Sequence, residues 1–493
     1  MRAFAITALL AVGLSFASSG LAGQGYRLGL DTRVQSVAYR GVALDSVPDT
    51  APPPSGYIVY CNPNGYCTFY TPGPIVHAAP ITTRADLTLW GLGITGLSVR
   101  ALGVVAGDLK GEGNWPGTEP HVQLLEGYAQ YAAERWTVQL GRQTITTRFG
   151  FTGFDGGRVA VRDRRRGLDL TGYAGWGLWR GAPLPVTSPA LNPLDEFRPA
   201  ERSIVAGAAG GWTGGPADVR VSYEREVDPS VHYFVSERVG LDAAIRSGAG
   251  LSLTAGAEYD IAAGWWGSAS AILGYTTARG RLSATGGVRR YRPHFDLWSI
   301  WAAFSPVPYT AAEGSLAYKP LTMLQLRAQG EYYDYANSET ATPLVSVKST
   351  GWRFSWGATY TPAARWIVDG GYHAEFGPGA SSRGLEGSIT YTMDEQLSLT
   401  AHGATLYRPL EYRFDESSLD MIGLSADYRP AASRVRFQLD ASGYSEDRQR
   451  PDPAAFSWDQ VRVSARVVLL FGSGASRSAL PAAVQSMPEK GSP

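Results

Sequence analysis

Val461-Arg462-Val463-Ser464-Ala465-Arg466-Val467-Val468-Leu469-Leu470-Phe471 is the stretch that decides how this chain folds. Successive side chains of a strand point to opposite faces, so Val461, Val463, Ala465, Val467, Leu469 and Phe471 make one apolar face, while Arg462, Ser464 and Arg466 look the other way. In a soluble sheet the apolar face would meet a second core layer. In a barrel set in an outer membrane it meets lipid, and the polar face lines a lumen.

Composition separates these two readings. The 493-residue chain has 18% charged residues, 59 Gly, 26 Tyr and 14 Trp. After its N-terminus no apolar run reaches the ~18 residues a membrane helix needs. Arg2 precedes an apolar stretch from Ala3 to Ala17, and Gly20-Leu21-Ala22 offers small residues for a signal peptidase. Residues 1–22 therefore read as a cleaved secretory signal. The mature chain leaves the cytoplasm, and in an oxidising compartment Cys61 and Cys67 read as a local disulfide that closes a short loop. Two thiols without a nearby histidine are too few for a metal site.

Outward from the last strand the same unit recurs as 22 segments, from 26–40 to 459–471, with 18–22 as the range. Turn residues separate them, and short connections alternate with long ones. The short set includes Ala133-Glu134, Gly214-Gly215-Pro216 and Asp394-Glu395; the long set includes 41–80, 108–120, 181–202, 293–310, 337–350 and 446–458. Tyr-x-Pro marks three short turns, Tyr318-Lys319-Pro320, Tyr360-Thr361-Pro362 and Tyr428-Arg429-Pro430. Each puts an aromatic at interfacial height and lets proline end the ladder. The expected fold is all-β: a transmembrane antiparallel β-barrel over residues 23–471, with short periplasmic turns and long extracellular loops, located in the bacterial outer membrane. Residues 472–493 read as a disordered periplasmic tail.

On these features, from residue 24 to 471, the chain resembles Gram-negative outer-membrane porins and porin-like barrels as a general class. It departs from them in the 22 residues, Gly472 to Pro493, that follow the terminal aromatic Phe471. The resemblance implies a channel and contact with outer-membrane lipid.

If the apolar face is outward, the inward face carries Arg327, Arg353, Asp369, Glu375, Arg434, Arg436, Arg462 and Arg466 as pore-lining candidates. Charges of this density are not tolerated in a dry core, so the lumen reads as hydrated. Only Lys110, Lys319, Lys348 and Lys490 among the 44 basic residues are lysine. Arginine holds carboxylates and phosphates in a bidentate fork, which favours anionic solutes. Codon bias would give the same excess, and cross-strand pairing with lumenal carboxylates would neutralise much of it. A barrel of this strand number is wide and is normally plugged. Strand pattern begins at Tyr26, so no plug domain is expected, and the aromatic loop 291–310, with Phe295, Trp298, Trp301 and Phe304, is the candidate constriction. The alternative for 295–304 is a further strand. Loop 181–202 is a second lumen candidate, and loop 41–80 an exterior cap.

Catalysis is not expected, although His373 and His402 fall inward; no cofactor motif occurs and the balanced charge speaks against nucleic acid. The function classes left are a porin for small hydrophilic solutes, with anions as the narrower option, and a sheath or scaffold around a lumenal or periplasmic protein partner, such as a cytochrome conduit. A third is an exporter of acidic polysaccharide.

Overall fold

Alternating outward apolar and inward polar residues give this chain strands that each need two hydrogen-bonding neighbours and one lipid face, and a closed barrel supplies both. A computed structural model describes residues 25–52, 57, 59–110, 121–181, 203–227, 229, 234–292, 308–336, 349–377, 382–408, 416–431, 433–450 and 457–472. The strands are β1 (Gly25–Pro48), β2 (Val59–Asn62), β3 (Tyr66–Ala78), β4 (Pro80–Trp90), β5 (Leu97–Asp108), β6 (His121–Ala132), β7 (Trp136–Thr147), β8 (Gly150–Asp163), β9 (Leu168–Gly181), β10 (Ile204–Gly214), β11 (Ala217–Val227), β12 (Phe234–Arg246), β13 (Leu251–Asp260), β14 (Trp265–Thr276), β15 (Leu282–Tyr291), β16 (Tyr309–Leu321), β17 (Leu324–Tyr335), β18 (Thr350–Tyr360), β19 (Trp366–Phe376), β20 (Ser382–Thr392), β21 (Leu397–Arg408), β22 (Glu416–Tyr428), β23 (Val435–Arg450) and β24 (Trp458–Gly472). All but β2 and β3 form one closed antiparallel barrel of 22 strands, sealed where β1 pairs with both β4 and β24.

The outward residues are apolar and open to the surroundings, among them Leu140, Leu170, Leu316, Leu385, Ile422, Val461 and Val463. Aromatics gather at both edges of this band. Trp90, Trp136, Tyr318, Tyr360, Tyr428 and Phe471 ring the turn end; Trp176, Trp266, Tyr332 and Trp352 ring the loop end. Trp352 and Tyr360 stand on one face of β18, separated by about 27 Å of strand, or about 21 Å along the axis at a tilt of roughly 40°. That span fits the hydrocarbon band of an outer-membrane barrel.

The segment 41–80 is more regular than its sequence suggested. β1 runs on past the barrel wall, pairing β3 from Val37↔Ala78 to Pro48↔Tyr66, and β2 adds a third strand through Cys61↔Cys67, whose sulfurs are bonded. Pro72 and Pro74 disguise the strand, because they sit beside the register shift between Arg40 and Val42, where lost ladder bonds are tolerated. β15 pairs directly with β16 from Leu282↔Tyr318 to Tyr291↔Tyr309, so no further wall strand lies between them.

Candidate functional site: a hairpin seated inside the barrel

The β6–β7 ladder stops at Gly127↔Arg142, whereas β6 goes on pairing β5 up to His121. Above that point β7 parts from β6 but keeps its ladder to β8 as far as Thr147↔Gly150, and the start of β8 stays paired to the end of β9 as far as Phe151↔Gly181, beyond Trp176, the last β9 residue in the ladder to β10. Gly141 makes the departure possible: its φ is +126°, and a Cβ there would lie 2.3 Å from the Gly127 carbonyl oxygen. Arg142 fixes the base. It donates through Nε and Nη2 to the Asp155 carboxylate (2.8 and 2.9 Å) and through Nη1 to the Leu124 carbonyl (3.0 Å).

The tip, the two-residue turn Arg148-Phe149, rests on the lumen wall of β12–β14. Ile145, Phe154, Tyr173 and Val205 form a dry cluster beneath it, with the Phe154 and Tyr173 rings 5.5 Å apart. At the tip, Phe149 is 3% exposed and the guanidinium of Arg238 lies 4.8 Å from its ring centroid. Arg148 pairs with Asp242 and donates through Nη2 to Ser268 Oγ (3.3 Å). The seat is cut by glycine, since a Cβ on Gly240 would come within 2.9 Å of Arg148 Cδ and one on Gly256 within 2.1 Å of its Nη1.

Below the tip runs a buried polar network. Glu224, with no exposed surface, accepts from Tyr173 Oη (2.7 Å), Thr152 Oγ1 (3.4 Å) and Arg238 Nη2 (3.2 Å). Arg238 also donates to Glu258 (3.3 Å), and Glu258 accepts from Ser268 Oγ (3.2 Å). One chain of contacts thus joins the tip to β11, β12, β13 and β14. Charged hydrogen bonds of this kind are strong and directional, so the tip is held in one place.

Around the rest of the wall, arginines and carboxylates meet in rungs. Glu313, Glu331, Arg353 and Glu375 stand directly opposite one another across β16–β19. Arg289 bridges the two like charges, 2.7 Å from Glu331 and 4.0 Å from Glu313, and Arg353 lies 3.8 Å from both Glu331 and Glu375. Tyr291, Tyr309, Tyr333 and Tyr335 pack over this cluster.

The residues singled out from sequence fall as follows. Arg327 reaches across β18 to Asp369 in a two-pronged pair (2.6 and 2.8 Å). Arg353 and Glu375 belong to the rung just described. Arg436 is fully buried against Asp427, and Arg466 binds Asp31 (2.7 Å from Nε) across the β1–β24 seam. Arg462 donates to Gln460 (3.1 Å) and lies over the Tyr444 ring. Arg434 is exposed, with Nη1 3.3 Å from the Gly472 carbonyl. Phe295, Trp298, Trp301 and Phe304 lie outside the described residues, as do loop residues 182–202, the signal 1–22 and residues 473–493. His402 Nε2 is 3.9 Å from Asp440, and the His373 ring packs against Gly384.

The hairpin itself was not anticipated: the gap 148–154 between segments read as 135–147 and 155–164 looked like an ordinary loop. One signal was present. Ile145, Phe154 and Val205 put apolar side chains on the face that elsewhere carries charge, and such a break in parity means that something dry covers the wall there.

No family model and no curated protein sequence matches the chain. Among solved structures, a point mutant of the ferric enterobactin receptor PfeA from Pseudomonas aeruginosa aligns with it at 12% identity and a TM-score of 0.52, over 90% of this chain and 80% of that one. Another mutant of that receptor, in complex with enterobactin, gives 12% identity and a TM-score of 0.51, over 90% and 81%. The likeness is one of fold, that of the Gram-negative outer-membrane barrels.

Proposed function

We propose that this protein is an outer-membrane channel for the diffusion of small hydrophilic solutes, with its bore narrowed by the β7–β8 hairpin. The turn end faces the periplasm and the loop end the exterior. One observation carries the reading: a charged, water-compatible wall is crossed over one sector by a hairpin pinned at Arg148 and Phe149. A wide barrel passes solutes without discrimination, and a fixed element inside it sets a size limit. The same seat favours a channel over a sheath, because the hairpin fills lumen that a protein core would need.

The test is current through the purified, folded protein in planar bilayers, with uptake of neutral sugars of graded size into vesicles. Steady conductance with a sharp size cut-off is expected. A reconstituted barrel that passes neither ions nor sugars would overturn the reading in favour of a partner-filled scaffold.

A further inference from the structure

On most of the wall the inward arginines are held by carboxylates: Arg327 by Asp369, Arg466 by Asp31, Arg436 by Asp427 and Arg100 by Asp86 and Glu126. A guanidinium already paired offers a passing anion little. Arg33, Arg84 and Arg158 also lack an ion pair among the described residues, one each on β1, β4 and β8, but the turn end gathers four such arginines at one level. Arg162 is the penultimate residue of β8, Arg246 the last of β12, Arg281 directly precedes β15 and Arg434 directly precedes β23. The backbone bonds Lys319 N to Arg281 O and Leu470 N to Arg434 O carry the ladders one residue beyond those strands. All four therefore keep the inward parity of Arg158, Arg238, Arg289 and Arg436 on the same strands.

All four are exposed, and among the described residues none makes an ion pair. The acids at this level are mostly engaged. Asp169, the cross-strand neighbour of Arg162, lies 3.5 Å from Arg220, and Asp427 is held by Arg436 and Arg429; Asp218 accepts only from the neutral Thr213 Oγ1 (3.2 Å), keeps its charge and offsets one of the four arginines. One mouth of the lumen thus carries uncompensated positive charge on its inner face, spread from β8 round to β23.

We propose that Arg162, Arg246, Arg281 and Arg434 form a collar that concentrates small organic anions, carboxylates above all, at the periplasmic mouth. The collar deepens the channel reading and rests on it. Planar guanidinium forks match carboxylates, and exposed ones bind them without first breaking an internal pair. Because the mouth is wide, the attraction acts through water and is sensitive to salt: the screening length is about 30 Å at 0.01 M and about 3 Å at 1 M.

The experiment compares the parent with a variant carrying Arg162→Gln, Arg246→Gln, Arg281→Gln and Arg434→Gln, and uses as control the charge-neutral double variant Arg327→Gln with Asp369→Asn, which removes an internal pair and leaves the net charge of the lumen unchanged. In bilayers, the chloride-to-potassium permeability ratio from reversal potentials should fall by roughly twofold or more in the quadruple variant at ~0.02 M salt, and should hardly change at ~1 M. The control should match the parent. Binding of the trianionic dye pyranine to detergent-solubilised protein, read by fluorescence anisotropy at low salt, should weaken by roughly tenfold in the quadruple variant alone. A parent that passes no current would fail the channel reading but leave the dye measurement to judge the collar. Equal dye binding by parent and quadruple variant, or a change in permeability ratio as large at high salt as at low, would overturn the collar.

Discussion

Replacing Phe149 and Arg148 together by alanine should free the tip of the lumenal hairpin. Phe149 is 3% exposed, so its removal returns a nearly fully buried aromatic contact to water, worth about 2 kcal/mol, and loses the contact with Arg238, worth about 1 kcal/mol. The Arg148–Asp242 pair adds less: the side chains are 13% and 43% exposed, and a partly solvated pair contributes about 1 kcal/mol. Together they amount to about 4 kcal/mol, which raises the population of unseated tips by roughly a thousandfold. The tip takes no part in the β1–β24 seam, so the variant should still refold to a closed barrel, with its unfolding free energy lowered by at most about the same 4 kcal/mol in urea titration. Single-channel recording is the assay. The parent should show one dominant conductance level, and the double variant a higher mean conductance with excursions between levels as the tip leaves its seat. A variant with the parent's conductance, noise and sugar size limit would show that the hairpin does not narrow the path.

Leu316 looks outward at the middle of β16 and is 46% exposed, so Leu316→Arg should destabilise the barrel by about 2–4 kcal/mol in vesicle refolding titrations, whereas Gln329→Arg, inward on β17, should cost under about 1 kcal/mol; equal costs would put the strand register out by one. Glu331 is buried between Arg289 and Arg353, so Glu331→Gln leaves two guanidinium groups poorly matched and should lower stability by about 3 kcal/mol, against less than about 1 kcal/mol for Arg327→Gln at the more exposed Asp369 pair; urea titration of both variants checks the order.

The strands were legible because lipid enforces period two along most of the wall. Val461 to Phe471 shows it, and so do Leu282 to Val288 and Leu324 to Tyr332. The short turns were legible from Gly, Pro and Tyr-x-Pro. What escaped the sequence depends on distance through the lumen. Arg327 and Asp369 are separated by an intervening strand, and Arg148 finds Asp242 five strands round the wall from β7. No local pattern encodes contacts of that kind. The paired state of most lumenal arginines follows from register, so composition alone overstated the positive charge available to solutes and hid where the unpaired part of it lies.

The seam between β1 and β24 sets an order of events during assembly. It brings together residues as far apart as Arg27 and Gly472, and Asp31 meets Arg466 across 435 positions of sequence. Closing so long a loop in an unstructured chain would cost about 5 kcal/mol of chain entropy before any seam contact formed. The cost falls once neighbouring hairpins have zipped and the chain has become a curved sheet with its two edges already near each other. Until β24 arrives, β1 and β23 each carry a row of unsatisfied backbone groups, which nothing in a hydrocarbon layer can satisfy. A chain that lost its last strand would therefore not settle as a slightly smaller pore. It would stay an open sheet with two adhesive edges, prone to pairing with other chains.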